Sequence, residues 1–413
     1  MSGFRDGTDG EAAIDGHFDP GFATVVEVFR RQLRRTNGGA ALGVYHRGSL
    51  VVDVWGGHRT DDGDRWCADT LAMCFSTTKG VAAMGLHVLA DRGALQYDAP
   101  VATYWPEFAR NGKEGITVRH VLTHSAGLHR LGTLVDGAHR ILDWEHMIEA
   151  LENARPAYAP GTHAGYHGFT FGWLAGEIVR RVSGRPLDAF LRDEVVLPLG
   201  LDGLYLGCPP SERHRVATLE PMGIPRIPWG PLRRFERHVG SGLNRLVAMS
   251  RLPVNPRRIM NTLMPRGIED VLWGADVMDA SIPAANGFFT ARSLARMYAV
   301  LAGHGTVDGV TLLTPETVEQ IGVVHTSGLD RVVVMPMDWR LGYHRVLTTR
   351  GTPPHAFGHF GFGGSGAWAD PSRELALAMV CNRGGGTPIG DLRILELTTA
   401  GIRAADRLAP AKR

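Results

Sequence analysis

Ser76 and Lys79 stand three residues apart in Phe75-Ser76-Thr77-Thr78-Lys79-Gly80, at the entrance to a run that keeps helical spacing through Ala82 and Leu89. Side chains at i and i+3 share a helix face, so the Lys79 amine falls within reach of the Ser76 hydroxyl. A serine hydroxyl is a weak nucleophile until a neighbouring base takes its proton, and a lysine becomes that base when burial and nearby cations lower its pKa. Arginine cannot, because its guanidinium stays protonated in proteins. Of 44 basic residues only Lys79, Lys113 and Lys412 are lysines, so a lysine at this spot is informative. The competing assignment makes Ser76 a helix N-cap and Lys79 a solvated side chain. Thirteen serines and three lysines would produce about 0.1 such spacings by chance, so the pair needs company.

Two further elements supply it. Gly165-Tyr166-His167-Gly168 precedes the helical pattern FTFGWLAGEIVRR, and a tyrosine on such a loop can relay protons between serine, lysine and leaving group. Gly358-His359-Phe360-Gly361-Phe362-Gly363-Gly364-Ser365-Gly366 leads into the strand pattern AWADP. Its glycines let a strand edge approach a substrate closely enough for a backbone N–H to meet a developing oxyanion.

In this order the three elements resemble the SxxK, YxN and KTG or HxG motifs of penicillin-binding proteins, class C β-lactamases and family VIII carboxylesterases. The blocks LQYDAPVATYWPEFA, ITVRHVLTHSAGL, GWLAGEIVRRVSGRPL, PAANGFFTARSLARMYAVLAGHG and GHFGFGGSGAWADP are also similar to the esterase branch, over most of residues 20–405. The resemblance implies an α+β fold of the β-lactamase/transpeptidase type. It casts Ser76 as the acylated serine, Lys79 as its base partner and Tyr166 as the motif tyrosine. Ser76 and Phe362 would offer the two N–H groups of an oxyanion hole, and His359, Gly361 and Gly168 would contact substrate. Two departures narrow the function. Gly168 replaces an amide side chain, and His359-Phe360 replaces Lys-Thr, which removes a cation suited to a substrate carboxylate. An uncharged small-molecule ester, lipid-like esters included, fits better than a lactam or a cell-wall peptide. The expectation is therefore a serine esterase working through an acyl-enzyme. An acyltransferase, a weak β-lactamase or DD-peptidase, and a non-catalytic penicillin-binding protein are the alternatives.

Other routes to hydrolysis have less support. No serine has glycine at both flanking second positions, so the GxSxG elbow is absent. Among 18 histidines no HExxH spacing occurs; His120, His124 and His129 fall near one helix end, in surroundings that match a structural block of the family, and no metal or other cofactor is expected.

The elements that must position these residues are legible in outline. Residues 19–35 open acidic, carry apolar residues at helical spacing and end basic, the mark of a helix. Residues 41–57 read as a hairpin turning at Arg47-Gly48. SGAWADP and ELALAMVCNR give two strands around Asp370-Pro371, and LRILELTTAGIRAADRL a closing amphipathic helix. One antiparallel sheet built from both chain ends follows, with helical patterns between, among them GVAAMGLHVLADRGAL, VRHVLTH, MIEALENA and ARSLARMYAVLAGHG. The lobes expected are 1–75 with 285–413 for the sheet and 76–220 for the helices, with the site in the cleft between them.

At 413 residues and 44% hydrophobic content the chain can bury a large core. A net charge of +2 offers no attraction for nucleic acid, and no apolar run spans a bilayer. Residues 1–20 lack the apolar core of a secretory signal, so a cytoplasmic protein is expected. Cys67, Cys74, Cys208 and Cys381 suit neither a disulfide framework nor a metal clasp. Within the insertion 221–284, the stretch 221–266 is Pro-rich and holds nine arginines against the single acid Glu236. It reads either as a lid over the cleft or as a peripheral membrane contact. Nothing in the sequence assigns an oligomeric state.

Overall fold

Residues 375–381 alternate in size, with Leu375, Leu377, Met379 and Cys381 on one side and Ala376, Ala378 and Val380 on the other, and all seven are buried. A strand buried on both faces needs a partner layer on each. The large set packs with Val25, Val26 and Phe29 of the helix Ala23–Leu33 and with Ile394, Leu397 and Ala404 of the helix Leu392–Leu408. The small set faces the helix Ala291–Ala302. Alanines, together with Gly43 on the adjoining strand, let that helix come close: a Cβ on Gly43 would stand 2.9 Å from the Ala291 carbonyl.

The structure, a computed structural model, describes residues 13–36, 38–219, 265, 267–383 and 392–409, and the backbone of Phe4–Asp6. The stretch 221–266, with both readings of it, lies outside the described residues apart from Pro265. Eight strands form one antiparallel sheet in the order Phe4–Asp6, Ile14–Phe18, Ser49–Gly56, Ala40–His46, Leu375–Cys381, Gly366–Asp370, Phe357–Phe360, His344–Arg345. Chain ends meet at its centre, where Leu42 lies opposite Met379. The expected hairpin turns at Arg47 and Gly48, whose φ of 52° and 78° are the left-handed pair of a two-residue turn. At the second turn Asp370 accepts from the Ser372 N–H and hydroxyl, so Asp-Pro starts the reversal as expected.

The fold is of the expected α+β kind, with two additions in detail. Helix Ala291–Ala302, within the stretch expected with the sheet, roofs it. Ile14–Phe18 adds a strand between Phe4–Asp6 and Ser49–Gly56, in a stretch with no clear apolar period because Ile14 is its one buried residue. A small second sheet joins Ala72–Met73, Gly287–Phe289 and Leu204–Leu206. The helix Thr78–Asp91 runs into the helical layer and packs on Thr170–Ser183. No helix among the described residues is long and apolar enough to cross a membrane.

Candidate active site

The turn that carries Ser76 is held from several sides. Cys74 N–H donates to the Gly287 carbonyl at 2.8 Å through the small sheet, and Thr77 Oγ1 donates to the Ser365 carbonyl at 3.0 Å. Between them Phe75 takes a left-handed φ of 43°, a strained conformation for an aromatic residue, and such strain persists where surrounding structure enforces it. Ser76 lies in the short 3-10 turn Phe75–Thr77, and Thr78–Asp91 continues it as α-helix. The i, i+3 geometry read from the sequence is met: Lys79 Nζ donates to Ser76 Oγ at 2.9 Å and to the Ala284 carbonyl at 2.9 Å. From the loop ahead of the helix Thr170–Ser183, Tyr166 donates its hydroxyl to the same Oγ at 2.7 Å. Three residues spread over 90 positions thus converge on one oxygen.

Burial sets the protonation states. Lys79 has 0% exposure, and desolvation pulls its pKa well below the ordinary lysine value. Tyr166, at 1% exposure, is moved the opposite way by the same cause, so the phenol keeps its proton; the bond to Ser76 offsets part of the shift. An amine made readier to lose its proton and a phenol made readier to keep it thus meet on one serine oxygen. Lys79 Nζ also lies 4.9 Å from the centre of the Tyr166 ring.

His359 is the third residue of the strand Phe357–Phe360 and Gly361 follows that strand. A Cβ on Gly361 would lie 2.3 Å from the Cys74 carbonyl, so the strand end presses on the Ser76 turn. Phe362 opens the next 3-10 turn, and its ring packs edge-on against Phe75 at 5.6 Å. N–H groups in the first turn of a helix lack intrahelical acceptors, which is the position of both Ser76 and Phe362. Gly361→Ala is expected to force the two turns apart and lower kcat/KM about 100-fold, checked with a short-chain nitrophenyl ester while the urea midpoint is followed in parallel.

His359 is 1% exposed and sits behind Tyr166, with ring centres 6.2 Å apart. Its Nδ1 donates to the Phe360 carbonyl at 3.2 Å, and burial above all pulls its pKa well below the ordinary histidine value. No cation therefore stands where the motif lysine would. Gly168 only donates its N–H to the Tyr166 carbonyl at 3.1 Å. Of the three histidines grouped in the sequence, His124 joins the Tyr166 surroundings: its Nδ1 accepts from the His167 N–H at 3.1 Å and its ring meets Tyr166 edge-on at 5.0 Å. His120 closes a capping box with Thr117. No group of three or more potential metal ligands occurs among the described residues. Lys113, the other informative lysine, serves structure alone, its Nζ donating to the carbonyls of Arg110, Glu152 and Ala154 at 2.6, 2.8 and 2.7 Å.

Sequence reasoning missed the residues behind Tyr166. Trp339 stacks parallel to it, with centres 5.7 Å apart and planes 5° apart, and Asp330 accepts the Tyr166 N–H at 3.1 Å. The Ala284 carbonyl on Lys79 was missed too, although the block PAANGFF contains it. An acid beside a run of valines carries no periodic signal that would mark Asp330.

A family model described as Beta-lactamase matches residues 25–399. The chain is 39% identical over 388 residues to Esterase/beta-lactamase LipL of Mycobacterium tuberculosis, covering 92% of this chain and 85% of that protein. Among solved structures it is similar to a penicillin-binding protein homolog from Caulobacter crescentus, with a TM-score of 0.81, 34% identity and coverage of 95% of this chain and 99% of that one. A family VIII carboxylesterase structure matches with a TM-score of 0.78, 32% identity and the same coverage.

Proposed function

The chain belongs to the β-lactamase family, and on that premise we propose that it is a carboxylesterase that works through an acyl-enzyme on Ser76. The observation that carries this is the convergence of Lys79 Nζ and Tyr166 hydroxyl on Ser76 Oγ at 2.9 and 2.7 Å. Neutral Lys79 takes the Ser76 proton as Oγ attacks the ester carbonyl and the Oγ–C bond forms. The oxyanion rests on the N–H groups of Ser76 and Phe362. The proton passes to the departing alkoxide through the Tyr166 hydroxyl as the C–O bond breaks, and an alcohol leaves. Water then repeats the sequence in reverse, giving the acid and free Ser76.

The choice of an uncharged ester is supported by His359 and Gly168, neither of which offers the cation or the amide that their motif positions would give a charged or peptide-like substrate. It is supported also by relatives named as esterases and by the carboxylesterase structure. The test is intact mass after a fluorophosphonate probe, with the adduct mapped by peptide. One adduct on the peptide that holds Ser76 is expected, and modification at another serine would overturn the proposal.

A further inference from the structure

Tyr166 sits on a loop, yet its hydroxyl must stay within hydrogen-bond reach of Ser76, so something outside that loop has to fix it. Asp330 has 0% exposure. Its Oδ1 accepts from Tyr166 N–H at 3.1 Å, Val332 N–H at 2.8 Å and Val333 N–H at 3.0 Å, and its Oδ2 accepts from Trp339 Nε1 at 3.0 Å. The two valine contacts are an ordinary Asp turn. Neither the bond to Tyr166, 164 residues away, nor the one to Trp339 is needed for that turn. Trp339, at 1% exposure, lies flat against the Tyr166 ring. The segment closes on the tyrosine loop once more where Arg331 N–H donates to the Ala164 carbonyl at 2.9 Å. Ala164, Tyr166, Val332, Met337 and Trp339 form a small apolar core of their own, separate from the two large ones.

We propose that Asp330 is a positioning residue of the reaction: through the Tyr166 N–H on one oxygen and the Trp339 indole on the other, it sets the phenol against Ser76 Oγ. This rests on the proton-relay role given to Tyr166 above. A carboxylate suits the task because it only accepts, and four N–H donors converge on it. Asparagine has the same shape with one oxygen exchanged for NH2, so either way round it brings N–H against N–H.

The test uses Asp330→Asn with two esters of one acid, a p-nitrophenyl ester and an ethyl ester. Nitrophenolate leaves without a proton, whereas ethoxide needs the one Tyr166 delivers. Misplacing the phenol is expected to lower kcat/KM about 100-fold for the ethyl ester and about 10-fold for the nitrophenyl ester, with KM little changed. In a Tyr166→Phe background the same substitution is expected to have no further effect. The double variant Asp330→Asn with Trp339→Phe, which removes the opposing indole N–H and keeps a ring, should regain part of the ethyl-ester activity. Equal losses on both esters, or an undiminished loss in the Tyr166→Phe background, would show that Asp330 serves only its own loop and would overturn the proposal. Should Asp330→Asn not fold, Trp339→Phe alone goes through the same comparison, with a several-fold loss confined to the ethyl ester and absent from the Tyr166→Phe background. If Tyr166→Phe hydrolyses both esters like the parent, the relay itself is refuted, and the positioning role falls with it for a different and recognisable reason.

Discussion

Ser76→Ala is expected to lower kcat for a short-chain p-nitrophenyl ester by at least about 10⁴-fold and to abolish the burst of nitrophenol that marks acyl-enzyme formation. The size follows from geometry. Ser76 Oγ is the one atom that both Lys79 and Tyr166 address, so removing it idles the other two, and residues that act as a unit lose nearly everything at the first deletion. The fold should not suffer. Ser76 is half-buried and its hydroxyl holds no backbone group, while the turn is pinned by Cys74 and Thr77. Loss of turnover with an unchanged urea midpoint is therefore the expected pair of results. Turnover equal to the parent's would refute Ser76 as the nucleophile.

Ser76 and Lys79 could be read from sequence because an i, i+3 pair on a helix is a local relation, and a chain that otherwise uses arginine makes a lone lysine conspicuous. Tyr166 and the strand end at His359 were legible only through the order of motifs, since nothing local to either says that they meet Ser76. The central strands showed themselves by composition: within ELALAMVCNR the seven residues LALAMVC are all apolar, as a strand covered on both faces must be. Strands Ala72–Met73 and Gly287–Phe289 are too short to show any period, yet their pairing holds Cys74 against Gly287 and so fixes the Ser76 turn. Asp330 stayed hidden because three of its four donors are backbone N–H groups, which every residue has, and no period connects it to the fourth, the Trp339 indole. Ile14–Phe18 stayed hidden because only Ile14 of its five residues is buried, which leaves no alternation to read.

Ester hydrolysis and lactam hydrolysis would use the same Ser76, Lys79 and Tyr166, so the distinction lies around them. His359 occupies the place of a motif lysine but is buried, neutral and turned to the Phe360 carbonyl. Residues that would hold a substrate's charge are thus replaced by residues that shape the wall behind Tyr166. Charged and uncharged substrates are separated by what is left out as much as by what is added.

Lys79→Arg is the substitution that separates a base from a mere positive charge. Arginine is always charged and can still donate to Ser76, but it cannot accept its proton. Acylation is expected to fall by about 10³-fold or more, measured by the rate of fluorophosphonate labelling at Ser76. The pH dependence sharpens the point. Desolvation depresses the folded-state pKa of Lys79 well below 10.5, so labelling of the parent should rise with pH and level off far below the range where an ordinary lysine ionises. A rate still climbing toward pH 10 would refute the assignment. Stability carries the same signature with a definite sign. Between the depressed folded pKa and 10.5 the unfolded chain binds a proton that the folded chain does not, so stability rises with pH through that window. Burying an amine in this way disfavours folding at neutral pH, and Lys79→Met should remove the penalty. The methionine variant is expected to be inactive with a urea midpoint at pH 7 equal to or above the parent's. A group kept at a net cost to the fold is one retained for its chemistry.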